Sequence, residues 1–307
     1  MPDYRLICFS LHVWYYFLQY IMTKRILITG SEGQVGKALT QQYPDAKAVS
    51  RATLDISDLT QVETFNWDQY DVIINAAAYV NADHSETDEG REKTWQANAT
   101  GPRNLAQAAL KYGLQLIHIS SEYVFDGKKE NHTEDEKFSP LSVYGETKAA
   151  GDLVVSLVPE HYIFRTTWVV GEGHNFIRTM MRLAGLRIDP AVVDDQYGRL
   201  TFASEIVRAI DHAITNEIPY GTYNVSNSGK IMTWAEIAAK TYELSGHDAS
   251  RVKFISTDEY RKDKEHFAPR PIHSDLDLTK LQETGFISQD FAPLLEDYIK
   301  NEQAKIE

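Results

Sequence analysis

Three residues have the types and positions needed to move a proton onto a carbonyl oxygen. Tyr144 and Lys148 stand four apart in VYGETKAAGDL, and Ser121 ends LQLIHISS. On a helix, residues four apart share a face, so Tyr144 and Lys148 project together into whatever the start of that helix faces. A tyrosine with an ordinary pKa of about 10 is a poor proton shuttle at neutral pH, and a nearby ammonium is expected to stabilise its phenolate and lower that value. Lys148 is also expected to hold a nicotinamide ribose. Ser121, where the strand leaves its sheet, is placed to bind the carbonyl oxygen of a substrate. YxxxK is common by chance, so the pair gains meaning only beside a cofactor site.

GSEGQVG supplies that site. Gly30 permits a tight turn, Gly33 lets the backbone approach a pyrophosphate, and Gly36 lets a helix pack closely on the preceding strand. The helix start offers unpaired N–H groups to the anion. The spacing is GxxGxxG rather than GxGxxG, and its weight comes from the strand before it and the helix after it. Gln34 and Val35 lie inside the motif and join the candidate cofactor contacts. An acidic residue at the end of the second strand would grip the ribose hydroxyl of NAD, but this chain reads AVSR there. Ser50 and Arg51 suit a 2′-phosphate, so NADPH is expected, with NADH as the alternative; an Arg51 pointing only at solvent is the structural reading. Asp55 and Ile56 are further cofactor candidates. Ala76, Ala77 and Ala78 are small enough to let a cofactor lie on the backbone, although close helix packing would use them equally well.

The elements that must position these residues alternate. RILITG (25–30), AKAVS (46–50), DVIINAAAY (71–79), LQLIHISS (114–121) and HYIFRTTW (161–168) read as strands. QVGKALTQQY (34–43), a stretch around GREKTWQANA (90–99), NLAQAALKYG (104–113) and the run opened by Tyr144 read as helices between them. That alternation predicts βαβ units, and hence an α/β fold with a doubly wound, parallel Rossmann sheet. Beyond Trp168 it loosens, with helical runs at 175–185, 204–214 and 233–246 and a polar stretch at 257–275. A smaller, interleaved C-terminal substrate lobe is expected. The expected division is an NADP-binding domain at 22–168 with a return segment at about 198–226, and a substrate lobe at 169–197 and 227–307.

Composition narrows the class. A formal net charge of -13 argues against a general nucleic-acid or acidic-membrane binder. One cysteine, Cys8, cannot form an internal disulfide, so a reducing cytoplasm is the expected setting. Residues 1–21 are rich in aromatics, interrupted by His12 and Gln19, and lack a small-residue cleavage site. They read as a dispensable extension ahead of a domain starting near Met22, or as an extra packed helix or strand. His84, His118, His132 and His174 show no ligand spacing with carboxylates or cysteines, and no catalytic metal is expected.

GSEGQVG, NAAAY, SSEYVFDG, SPLSVYGETKAAGD, FRTTWVVGEGHNF, DDQYG and RPIHSDLD occur in the order and approximate spacing of the dTDP-4-dehydrorhamnose reductases, within the extended short-chain dehydrogenase/reductase superfamily. The chain resembles that family from roughly Lys24 to Ile299. The resemblance implies reduction of the C4 ketone of dTDP-4-dehydro-L-rhamnose by NAD(P)H. It makes Tyr144 the catalytic acid, Lys148 its partner and Ser121 the carbonyl contact. Glu122 stands where members often carry an Asp near the sugar hydroxyls. Trp168 matches a tryptophan lining the sugar site, and Asn175 is a further candidate substrate contact. Arg270 is a candidate for the nucleotide diphosphate, since a guanidinium binds phosphate through parallel hydrogen bonds, or else a partner for a carboxylate. Some members carry a Glu for a metal-bridged dimer where this chain has Ala38, which weakens that mode of assembly. A monomer or homodimer is expected, and the upstream epimerase is a candidate partner.

Rival activities use different residues. A dehydratase of this superfamily would place two consecutive carboxylates after the strand-four hydroxyl, but Tyr123 follows Glu122. A C4 epimerase would keep its NAD tightly bound, whereas Ser50 and Arg51 point to an exchangeable NADP. A non-catalytic NADP-binding regulatory subunit would not need the intact Ser121, Tyr144 and Lys148 set.

Overall fold

Neighbouring residues of a strand point to opposite faces of a sheet, so a sheet covered on both faces needs apolar residues in unbroken runs. The computed structural model describes residues 24–305, so the expected extension at 1–21 and Cys8 lie outside the described residues. The central strands are β1 (Ile26–Thr29), β2 (Lys47–Val49), β3 (Val72–Asn75), β4 (Gln115–Ser121), β5 (His161–Thr166) and β6 (Gly221–Asn224). All their pairings are parallel, in the spatial order β2-β1-β3-β4-β5-β6.

Helices cover both faces. Ile28, Ile74, Ile117 and Phe164 pack against Leu39 of α1 (Gln34–Gln42), on the face that also receives Ile206 and Ile210. Leu27, Ile73, Leu116 and Ile163, one residue out of step, pack on the other face against Leu105 and Ala109. The sheet is therefore doubly wound and Rossmann-like.

Two helices expected to be separate run together. α2 (Asp88–Trp95) continues through a π-helical stretch, Gln96–Thr100, into α3 (Gly101–Tyr112). The widened turn lies just ahead of Pro102, which has no N–H to give the ladder, and the continuation costs no donor. Asn98 in this stretch holds the chain after β3 through both backbone groups of Tyr79, at 2.8 and 2.9 Å.

α4 (Val143–Val155) leads into β5, and α5 (Phe176–Gly185) follows. The chain then passes through α6 (Ala203–Asn216), which carries Ile206 and Ile210, and adds β6 beside β5. A second core joins Ile177 of α5, Ile237 of α7 (Trp234–Leu244), and Phe291, Leu295 and Ile299 of α8 (Phe291–Ala304). The order of strands reverses between β1 and β3, and ligands of open α/β sheets sit beyond the carboxyl ends of such a switch point. The segments after those two strands contain Gly30 to Gly36 and Ala76 to Ala78.

Candidate active site

Ser142 starts α4 by accepting the Gly145 N–H at 3.3 Å, which sets Tyr144 in the first turn and Lys148 one turn on. Both line a cleft of about 650 Å³, shared with Gly33, Gln34, Val35, Ala76, Ala78, Ser121, Glu122 and Trp168. Two distant motifs and the end of β4 thus meet in one hollow. The Tyr144 ring meets Tyr123 edge to face, with centroids 5.2 Å apart.

Lys148 does not acidify Tyr144 as its spacing led us to expect. Its Nζ donates to the Ile119 carbonyl at 2.7 Å. Burial raises the Tyr144 pKa, and the charge of Glu122 adds to that; the neighbouring Ser121 hydroxyl acts the other way. The physical reason is competition: a β4 carbonyl takes the ammonium, while low polarity around the phenol disfavours its anion. Tyr144 therefore stays protonated at neutral pH.

Glu122 is 2% exposed. Its two oxygens accept hydroxyls from Ser121 at 2.7 Å and Thr167 at 2.9 Å. Burial pushes its carboxyl up to about 7, against the pull of those hydroxyls. Ser121 Oγ also accepts the Tyr123 N–H at 3.2 Å. While Glu122 is ionised, the single Ser121 hydrogen is committed to it; a protonated Glu122 can donate instead and free that hydrogen for the cleft.

The glycine turn fits a dinucleotide. Gly30 has φ 71°, and a Cβ there would lie 2.4 Å from the Ala77 nitrogen; one on Gly36 would lie 2.1 Å from the Gly30 carbonyl oxygen. Both positions require glycine for packing alone. A Cβ on Gly33 would meet only the Gly30 oxygen, at 3.4 Å. α1 starts with no side-chain cap and no acid in its first turn, which leaves its end open to a pyrophosphate. Gln34 Oε1 accepts the Gly171 N–H at 2.7 Å and so ties the turn to the chain after β5.

The other candidates lie around this hollow or away from it. Ser50 closes a turn by accepting the N–H groups of Thr53 and Leu54 on its carbonyl. The exposed Arg51 pairs with Asp55 at 2.9 Å. Ile56 is buried in the core on the α3 face. Ala77 is pressed against Gly30, and its N–H donates to Asn75. Trp168 has a left-handed φ of 41°, unusual for a bulky residue, and stacks on Trp234 with centroids 3.8 Å apart. Asn175 caps α5 through its Oδ1, while its Nδ2 reaches Gly171 O and the Tyr298 hydroxyl at 2.8 Å. Arg270 pairs with Asp83 at 2.8 Å, the structural alternative that its sequence context left open, and lies beside the Tyr123 phenol.

Sequence reasoning missed Tyr123, Thr167, His174 and Trp234, which also line the cleft. Trp234 was legible in part: it opens α7 after Thr233, whose capping box with Glu236 is written in TWAE. Among the described residues, no group of three or more His, Cys, Asp or Glu could hold a metal ion, and no helix is long and apolar enough to cross a membrane.

Comparison with known proteins agrees with this geometry. The family model described as "RmlD substrate binding domain" matches residues 24–304. A dTDP-4-dehydrorhamnose reductase of Aggregatibacter actinomycetemcomitans is 34% identical over 84% of this chain and 92% of its own length. The spore coat polysaccharide biosynthesis protein SpsK of Bacillus subtilis is 32% identical over 91% of this chain and 98% of its own. The crystal structure of dTDP-4-dehydrorhamnose reductase from Bacillus anthracis, in complex with NADP, superimposes with a TM-score of 0.81 at 32% identity, covering 91% of this chain and 98% of that one. With a family match spanning nearly all the described residues, and the same cleft built from the motifs that carry the resemblance, the chain belongs to the dTDP-4-dehydrorhamnose reductase family.

Proposed function

We propose that this chain reduces the C4 ketone of dTDP-4-dehydro-L-rhamnose to give dTDP-L-rhamnose, with NADPH as reductant. The observation that carries this reading is the meeting of Tyr144, Lys148 and Ser121 with the glycine turn in one cleft. Bound NADPH supplies the hydride. Gly33 and the uncapped start of α1 would hold the pyrophosphate, and Ala76 and Ala78 would leave room for the cofactor against β3. Arg51 would hold the 2′-phosphate by exchanging Asp55 for it, an easy exchange because surface ion pairs contribute only about 0–1 kcal/mol.

Tyr144 gives its phenolic proton to the oxygen that becomes the new hydroxyl, and Ser121 donates a hydrogen bond to the same oxygen as charge builds there. Glu122 governs whether Ser121 can do so, because the two share one hydrogen bond. Trp168 offers its ring as a wall for the sugar. The test is loss of NADPH absorbance with dTDP-4-dehydro-L-rhamnose, run beside other 4-keto sugar nucleotides and repeated with NADH. Turnover of this sugar with at least about a tenfold preference in kcat/KM for NADPH is expected. Turnover confined to another ketone, or a preference for NADH, would replace the substrate or the cofactor in this reading.

A further inference from the structure

Among the buried titratable groups without a part in this chemistry, His118 stands beside Lys148. His118 lies in the middle of β4 with no exposed surface. Its Nδ1 is 3.0 Å from Asn75 Nδ2, and its Nε2 is 3.4 Å from Lys148 Nζ. The orientation of the Asn75 amide follows from its neighbours. The Ala77 backbone N–H, which can only donate, points at Asn75 Oδ1 from 3.1 Å, and the Thr29 hydroxyl reaches the same atom at 2.7 Å. Asn75 Nδ2 is therefore the donor toward the ring, and His118 Nδ1 must be the bare acceptor.

A neutral imidazole with a bare Nδ1 carries its hydrogen on Nε2, aimed at Lys148. The cationic ring is disfavoured by burial and by Lys148 itself. An ammonium at Lys148 then faces another donor, whereas a neutral amine accepts the Nε2 hydrogen and still donates to the Ile119 carbonyl.

We propose that His118 is a positioning residue for Lys148: the Asn75 amide fixes its hydrogen on Nε2, and that hydrogen readies Lys148 to pass a proton toward Tyr144 rather than keep it. The proposal rests on the reductase reading above. Once Tyr144 has protonated the sugar oxygen, the phenolate recovers a proton from the Lys148 ammonium through an intervening hydroxyl or water. The resulting amine accepts from His118 and is reprotonated by solvent. One proton enters from water for each one delivered to the sugar. Burial, the larger cause, already lowers the Lys148 pKa to about 8, and Asp152 one turn along α4 works in the opposite direction. Asp152 is itself held by Arg165 of β5 at 2.9 Å. Tyr123, Tyr144 and Glu122 are further titratable groups lining the cleft, with Glu32, Lys37, Glu172 and His174.

Two variants separate tuning from support. His118→Asn keeps an acceptor near the Nδ1 position and removes the group facing Lys148; His118→Gln can restore an N–H near the Nε2 position. Glu122 is untouched by both, so any limb it contributes to the pH profile is common to all three proteins. The upper limb of kcat/KM should move up by about one pH unit in His118→Asn and return toward the native position in His118→Gln, the size expected for losing one hydrogen bond that only the neutral amine can accept. A uniform loss of rate in both variants, with the limb unmoved, would reduce His118 to a packing role. Two-bond ¹⁵N correlation spectra of histidine-labelled protein, with the His118 signal identified by its loss in His118→Asn, give a readout free of turnover. A bare Nδ1 and protonated Nε2 are expected, and an Nδ1-protonated or cationic ring would overturn the proposal. If the native enzyme reduces none of the 4-keto sugars, the reading of function fails while the spectra still decide the tautomer.

Discussion

Tyr144 keeps its proton at neutral pH because burial and the charge of Glu122 both oppose the phenolate. On the proposed mechanism, removing its hydroxyl should therefore remove the proton donor and little else. Tyr144→Phe is expected to lower kcat by about 10²–10⁴-fold while NADPH affinity, read by fluorescence titration, stays within about twofold. Glu122 makes a separate prediction about stability. Its folded-state pKa is raised from 4.5 to about 7. The stability that the buried neutral acid contributes is thus fully present below about pH 4.5 and is lost as pH rises through 7. The shift corresponds to roughly 3 kcal/mol. Glu122→Gln, which cannot ionise, should gain on the native protein by up to that amount between pH 4.5 and 8, as measured by denaturant unfolding at each pH. A constant difference across the range would mean that Glu122 is ionised throughout.

The glycine turn divides packing from binding at the level of the element. A Cβ on Gly36 would overlap the Gly30 carbonyl, so Gly36→Ala should cost about 1–3 kcal/mol and lower Tm by roughly 5 °C. Gly33 has an ordinary extended backbone, φ -73° and ψ 167°, and room for a methyl group. Gly33→Ala should leave Tm unchanged within about 1 °C yet weaken NADPH binding about tenfold or more, because the methyl would occupy the approach of the pyrophosphate. Equal losses of stability in both variants would show that Gly33 serves the fold rather than the ligand.

Over the whole molecule, Asp83 joins segments far apart in sequence: its Oδ1 accepts from the Ala268 N–H at 3.0 Å and from Arg270 at 2.8 Å. Releasing that hold should loosen the rim beside Tyr123 without touching Tyr144. Asp83→Ala is expected to cost about 1–2 kcal/mol and to raise KM for the sugar nucleotide several-fold, with kcat within about twofold. A fall in kcat with KM unchanged would place Asp83 in the chemistry instead.

The sequence by itself determined the strand and helix alternation, the glycine turn and the Tyr144–Lys148 face, because each follows from a period or spacing within one element. The apolar runs of Ile26–Thr29 and Val72–Asn75 had to be buried on both sides, and residues four apart on α4 had to share a side. Only the tertiary structure decided that Lys148 bonds Ile119, that His118 faces Lys148, that burial raises the Glu122 carboxyl to about 7, and that Trp234 stacks on Trp168. Those partners lie on different elements. A side chain's charge and direction are set by the groups that reach it across the fold, and the local pattern of residues carries no record of that meeting.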